Sequence, residues 1–175
     1  MTTAPANVAK SRTQPVADRP RIPRDYGVPK SRTGLMDWSA IEERLRDARV
    51  YWVATAGPDG TPRVRPLDGL YVDGVLYVGG SPETRWVRDL EANPRASVHL
   101  DGGNDVVILE GPAEILDGVD PETARWLAAE STRKYPEYGM TEASYTGPGP
   151  IAIRTVKAFA WKQFPKDVTR FRFEG

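Results

Sequence analysis

Apolar residues along this chain fall first at helical and then at strand spacing. Ser39-Ala-Ile-Glu42 has the form of a capping box, and Ile41, Leu45 and Ala48 follow with charges between them, which predicts a short helix. Val50 to Ala56 is β-branched and aromatic, and Gly57-Pro-Asp-Gly60 supplies turn chemistry before a second extended run from Thr61 to Val72. Asp73-Gly74 is a hairpin signal leading into Val75 to Val78, so three strands form an antiparallel meander. Ser81-Pro82 reads as a helix N-cap followed by proline, with Val87 and Leu90 on one face and Asn93-Pro94 as the stop. Ala96 to Leu100 is the next strand, Asp101 to Asp105 a turn, and Val106 to Leu116 a strand in which Gly111-Pro112 marks a bulge. Pro121 to Tyr135 predicts a helix anchored by Trp126 and Leu127, and the Pro-, Gly- and Tyr-rich stretch from Tyr135 to Pro150 predicts a loop. Ile151 to Phe164 and Val168 to Phe173 complete the sheet. Six or seven strands with helices inserted at intervals make a mainly β, α+β chain that fits a small barrel better than a doubly wound parallel sheet.

Composition narrows this picture. At 175 residues, 39% hydrophobic and 27% charged, the chain suits one globular domain. Basic and acidic residues both number 24, which gives no reason to expect nucleic acid as a partner. The balance hides an asymmetry. Residues 1–34 hold seven basic groups against Asp18 and Asp25 and carry five prolines without apolar periodicity, leaving that segment at +5 and the remainder at −5. We therefore expect a basic, proline-rich arm over 1–34 and a folded domain over 35–175, the arm being either a solvated tail or a cover for an anionic ligand or a partner subunit. No stretch reaches the length of a signal or a membrane span, so the expected location is cytoplasmic, with no membrane partner.

The chain has no cysteine, which excludes disulfides, thiolate metal sites and a cysteine nucleophile. His99 is the only histidine; a histidine metal cluster is impossible, and no catalytic role is assigned to it. Redox chemistry here needs a bound cofactor. Rossmann, P-loop and nucleophile-elbow signatures are absent, since Gly79-Gly-Ser81-Pro-Glu83 lacks the final glycine.

Two basic pairs stand out. Arg63 and Arg65 are two apart on a strand, and Arg85 and Arg88 three apart on a helix, so each pair shares a face. The second pair follows Ser81-Pro-Glu-Thr84, whose backbone N–H groups and hydroxyls suit a phosphate, although Glu83 places a negative charge in the same turn. The competing reading is solvated surface arginine. The five tryptophans suit either a core or a stack on a planar ring.

The ordered set Val53-Ala-Thr55, Gly60-Thr-Pro62-Arg-Val-Arg65, Leu76-Tyr-Val78, Thr84-Arg85, Leu90-Glu-Ala-Asn93-Pro94-Arg-Ala-Ser-Val98, Glu110-Gly111-Pro-Ala113-Glu114, Trp161 and Thr169-Arg170-Phe171 resembles the pyridoxamine 5′-phosphate oxidase-like split-barrel family, over about residues 38 to 173. That resemblance implies a six-stranded antiparallel split β-barrel, a homodimer, and FMN or coenzyme F-420 bound at the subunit interface for hydride exchange with a small-molecule substrate. The alternative it leaves is a carrier that holds a flavin, a deazaflavin or, less readily, haem without turnover. Carried over by position, the ribityl-phosphate contacts fall on Arg65, Thr84 and Arg85, with Arg63, Ser81, Arg88 and Trp161 completing the cofactor-binding set. One departure stands out: where many flavin-binding members have a lysine, eight residues before Pro94, this chain has Trp86. Arg85 or Arg88 then has to compensate.

Overall fold

In a computed structural model that describes Pro5 and residues 14–173, the strand alternation is realised as ten strands, all paired antiparallel. In chain order the elements are β1 (Val16–Asp18), α1 (Trp38–Asp47), β2 (Tyr51–Ala56), β3 (Pro62–Leu67), β4 (Gly69–Val72), β5 (Val75–Gly79), α2 (Arg85–Ala92), β6 (Arg95–His99), β7 (Val106–Ile115), α3 (Pro121–Lys134), α4 (Ala143–Thr146), β8 (Pro150–Arg154), β9 (Lys157–Trp161) and β10 (Thr169–Arg172). One path runs β1-β10-β9-β7-β6-β2-β3, and a branch leaves β7 through β8 and β5 to β4. Among the described residues no helix is long and apolar enough to cross a membrane, and no cluster of His, Cys, Asp or Glu could hold a metal ion.

Alternation decides which face is core. On β2, Tyr51, Val53 and Thr55 are buried while Trp52, Ala54 and Ala56 are half-exposed, and β6, β7 and β9 repeat the pattern with Val98, Leu109 and Ala158 pointing in. Ile41 and Leu45 of α1, Val87 and Leu90 of α2 and Phe171 of β10 join the same cluster. Each such side chain taken out of water contributes about 1.5–3 kcal/mol, so this single cluster is the main source of stability. A smaller cluster of Leu70, Leu127 and Tyr135 fixes α3 over β4.

Several boundaries differ from the sequence expectation, each for a local reason. Helix α1 is capped by Asp37, whose carboxylate accepts the Ser39 N–H at 3.1 Å, so Ser39 lies inside the helix. Helix α2 begins at Arg85 with Thr84 as N-cap; Ser81 instead closes a turn, its carbonyl accepting the Thr84 N–H at 3.0 Å. The run from Thr61 to Val72 breaks at Asp68 into β3 and β4, which pair with different neighbours, and Ile151 to Phe164 likewise breaks into β8 and β9. Gly111 is not a bulge. Its pairing with Ala96 is in register, and it sits where β7 exchanges β9 for β8 as partner; an added Cβ there would lie 1.8 Å from the Arg154 carbonyl oxygen. Leu127 is fully buried as expected, but Trp126 is only half-buried. The Tyr135–Pro150 stretch holds the short helix α4.

The N-terminal segment also departs from an unpacked arm. Val16–Asp18 pairs with β10, Asp18 takes both Nε and an Nη of Arg170 at 2.7 and 2.9 Å, and Arg19 donates to the carbonyls of Ser31, Thr33 and Val168. Residues 1–4 and 6–13 of that arm lie outside the described residues.

Candidate functional site

Helix α2 packs on β2 and β7 and reaches β3 through the side chains of Asp89 and Trp86, and these contacts organise the arginines. Asp89 is 1% exposed, and its carboxylate accepts from Arg63 at 3.0 and 3.1 Å and from the Thr55 hydroxyl at 3.3 Å, with Arg85 at 3.6 Å. A buried carboxylate needs such partners, so Arg63 is held by the fold and only its outer edge is left for a ligand. Arg65, two residues on along the same face, lies over the Trp86 ring at 5.7 Å and has no hydrogen-bond or ion-pair partner among the described residues. Burial lowers its pKa while Asp89 opposes the shift; a guanidinium remains charged regardless.

The structure thus gathers Arg63, Arg65 and Arg85 at one end of α2. Arg88 is exposed on the same helix, Ser81 is exposed, and Thr84 is half-exposed with its hydroxyl donated to the Ser81 carbonyl at 2.6 Å. Trp161 is not with them. It sits on β9 across from Val106, separated from β3 by β7, β6 and β2, roughly 19 Å at the usual strand spacing.

Directly after Arg65, Pro66, Leu67 and Asp68 form one lip of a cavity of about 500 Å³ between β3–β5 and the α3–α4 segment. Gly79 and Gly80 form the opposite lip. A Cβ on Gly80 would lie 2.5 Å from the Trp86 ring, so the tryptophan under Arg65 also backs the cavity's edge. The walls are aromatic and apolar: Tyr77, Tyr135, Tyr138, Tyr145, Leu70 and Met140. Burial raises the pKa of Tyr77 and Tyr145, and carries that of Tyr135 up to about 12, which keeps these phenols neutral.

The sequence reading did not single out this cavity, nor two buried charges beside the site. Asp89 stands three residues after Trp86 and one before Leu90, which places a carboxylate on the apolar stripe of α2. Lys134 continues the Ala124-Leu127-Ser131 stripe of α3 and donates to the Tyr51 hydroxyl and the Gly69 carbonyl, both at 3.0 Å. A charged residue at i+3 on a buried stripe was the available signal for both.

The family model for pyridoxamine 5′-phosphate oxidase matches residues 38–163. The chain belongs to this family. Among solved structures it is similar to an FAD-binding protein from Mesorhizobium loti (23% identity, 79% of this chain and 96% of that one, TM-score 0.55). It is also similar to an F-420 reductase (21% identity, 69% and 96%, TM-score 0.52) and to a haem storage protein from Vibrio cholerae (16% identity, 70% and 92%, TM-score 0.58). At these identities the likeness is one of fold. No curated protein matches the sequence.

Proposed function

We propose that this member of the pyridoxamine 5′-phosphate oxidase family is a cytoplasmic homodimer that binds FMN or coenzyme F-420 and exchanges a hydride between it and a small organic molecule. The observation that carries the reading is Arg65, an unpartnered guanidinium on the Trp86 ring, one residue before the Pro66–Asp68 lip of an aromatic cavity. A planar ring with an anionic tail matches that pairing: the tail meets Arg65, the outer edge of Arg63, Arg85 and the Ser81–Thr84 turn, and the ring meets the tyrosine walls. Arg88 extends the positive surface. When bound, the ring supplies the hydride chemistry, while the chain binds, orients and excludes water.

The pairings β2 with β3, β4 with β5, β5 with β8, β8 with β7, β7 with β6 and β6 with β2 return to their start if β3 and β4 count as one strand bent at Asp68. That supports reading the sheet as a six-stranded split barrel. The outer sheet face carries Trp52, Val64, Ile108, Phe159 and Trp161, all partly or well exposed, with Val64 at 55%. A second copy covering this apolar face is the basis for the homodimer, and gives Trp161 a route to the partner's cofactor.

A carrier that holds the cofactor without turnover uses the same contacts. Haem fits less well, because the sole histidine, His99, lies on the outer face against Trp52, ring planes 5° apart, and does not line the cavity. The test is titration of the purified protein with FMN, coenzyme F-420 and haem, with Arg65→Ala as control. One of the first two is expected to bind and to weaken at least about tenfold in the variant, the loss of one charge-assisted hydrogen bond. Equal binding by both proteins puts the site elsewhere, and binding without steady-state turnover of the reduced cofactor selects the carrier.

A further inference from the structure

We infer that the cavity beside Arg65 selects uncharged, planar apolar molecules and turns anions away. In the family reading above, on which this step to a substrate rests, the molecule meeting the cofactor ring there is neutral.

The lining holds one side chain that is charged at neutral pH, and it is an acid. Asp68 stands at the lip beside Tyr138, whose pKa it raises. Among the described residues no cation lines the cavity: Arg65 stands outside its lip, Arg154 on β8 opposite Val75 acts on Tyr77 from outside the lining, and two others serve other groups. Lys134 lies behind Gly69 and Tyr135 and gives its protons to the Tyr51 hydroxyl and the Gly69 carbonyl. Arg49 lies against the Tyr135 ring and donates to the Lys134 carbonyl and to Glu137. The phenols are also largely committed. Tyr135 bonds the Arg49 and Gly69 carbonyls and Tyr145 the Ser131 hydroxyl, which leaves Tyr77 as the phenol without a partner among the described residues. An anion entering this space loses its hydration and meets a carboxylate, whereas a neutral ring meets aromatic walls and one hydroxyl able to bond a carbonyl or amine. The anion-binding groups are all outside, around Arg65. Separation of charge is therefore built into the site, with the anionic tail of a ligand held outside and a neutral ring held inside.

Two fluorescent probes with the same ring system test this on the full chain without added cofactor: neutral N-phenyl-1-naphthylamine and its sulfonated counterpart 1-anilinonaphthalene-8-sulfonate. The neutral probe is expected to bind saturably and at least tenfold more tightly, and Asp68→Asn to narrow the gap. Gly79→Leu locates the binding, because an added Cβ at Gly79 meets nothing within 4 Å and its φ is unstrained, so the leucine grows from the cavity's lip in a folded protein. Loss of the neutral probe in that variant, with an unchanged melting curve, supports the inference. Equal or tighter binding of the sulfonate overturns it, as does a neutral probe that fails to bind or is indifferent to Gly79→Leu. Probe selectivity alongside failed FMN and F-420 titrations sinks the proposed function and leaves this inference standing; the converse result does the opposite.

Discussion

Lys134 offers the sharpest quantitative check on the packing around the site. Its side chain is 9% exposed, and burial, with the Arg133 charge beside it, pulls its pKa from the ordinary 10.5 to about 8. Below about pH 8 the lysine is charged in both folded and unfolded chains, and the folded state carries the full desolvation penalty. As pH rises from there towards 10.5 the folded state gives up its proton first, so stability increases with pH through that window. At about 1.4 kcal/mol per pH unit, the gain between roughly pH 7.5 and pH 9.5 is about 2 kcal/mol. The buried phenols work in the opposite sense, since Tyr51 and Tyr135 have raised pKa values, but their effect begins near pH 10 and leaves the lower window clear. Lys134→Met removes the titration while leaving the Tyr51 hydroxyl on the Leu45 carbonyl and the Gly69 carbonyl on Tyr135. Urea unfolding of both proteins across this range should show wild-type midpoints rising relative to the variant by on the order of 1 M. Parallel curves would refute the reasoning, because they would mean the ammonium is solvated in the folded state.

Arg63→Ala leaves the Asp89 carboxylate buried with Thr55 and a distant Arg85, and should cost about 2–4 kcal/mol in thermal or urea denaturation, while Arg65→Ala should unfold like wild type. Equal stability losses would remove the distinction drawn between a structural and a ligand-facing arginine. Gly111→Ala drives a methyl group into the Arg154 carbonyl and should cost more than about 3 kcal/mol or abolish soluble expression, whereas a variant that melts normally would show that β7 and β8 can part there.

How legible all this was from sequence depends on the range of the signal. Local signals located the elements: turn chemistry at Gly57–Gly60 and Asp73-Gly74, alternation on β2, and the stop at Asn93-Pro94. They misplaced what tertiary contacts decide. The break at Asp68 did carry a local signal, Asp68-Gly69 after Pro66, but what it separates follows from β4 pairing with β5 while β3 stays with β2. Gly111 reads as a bulge locally because the carbonyl that forbids a side chain comes from Arg154, more than 40 residues away. The four site arginines were visible as charge, but their different fates were not, since these depend on Asp89 and Trp86 reaching β3 from another element. The cavity needed four tyrosines spread from residue 77 to residue 145, which no spacing rule connects.

The pairing of β1 with β10 has a consequence for the order in which the sheet forms and opens. Asp18 meets Arg170 across 152 residues of chain, among the longest closures in the described fold, and β1 contributes three residues to the ladder. Closing so long a loop yields little until the rest of the sheet stands, so this strand should dock last and leave first. Amide hydrogens of Val16 to Asp18 should then exchange through a local opening that leaves β2, β6 and β7 intact. During that opening the outer edge of β10 is briefly bare, which makes the N-terminal strand a guard against edge-to-edge association between copies of the chain.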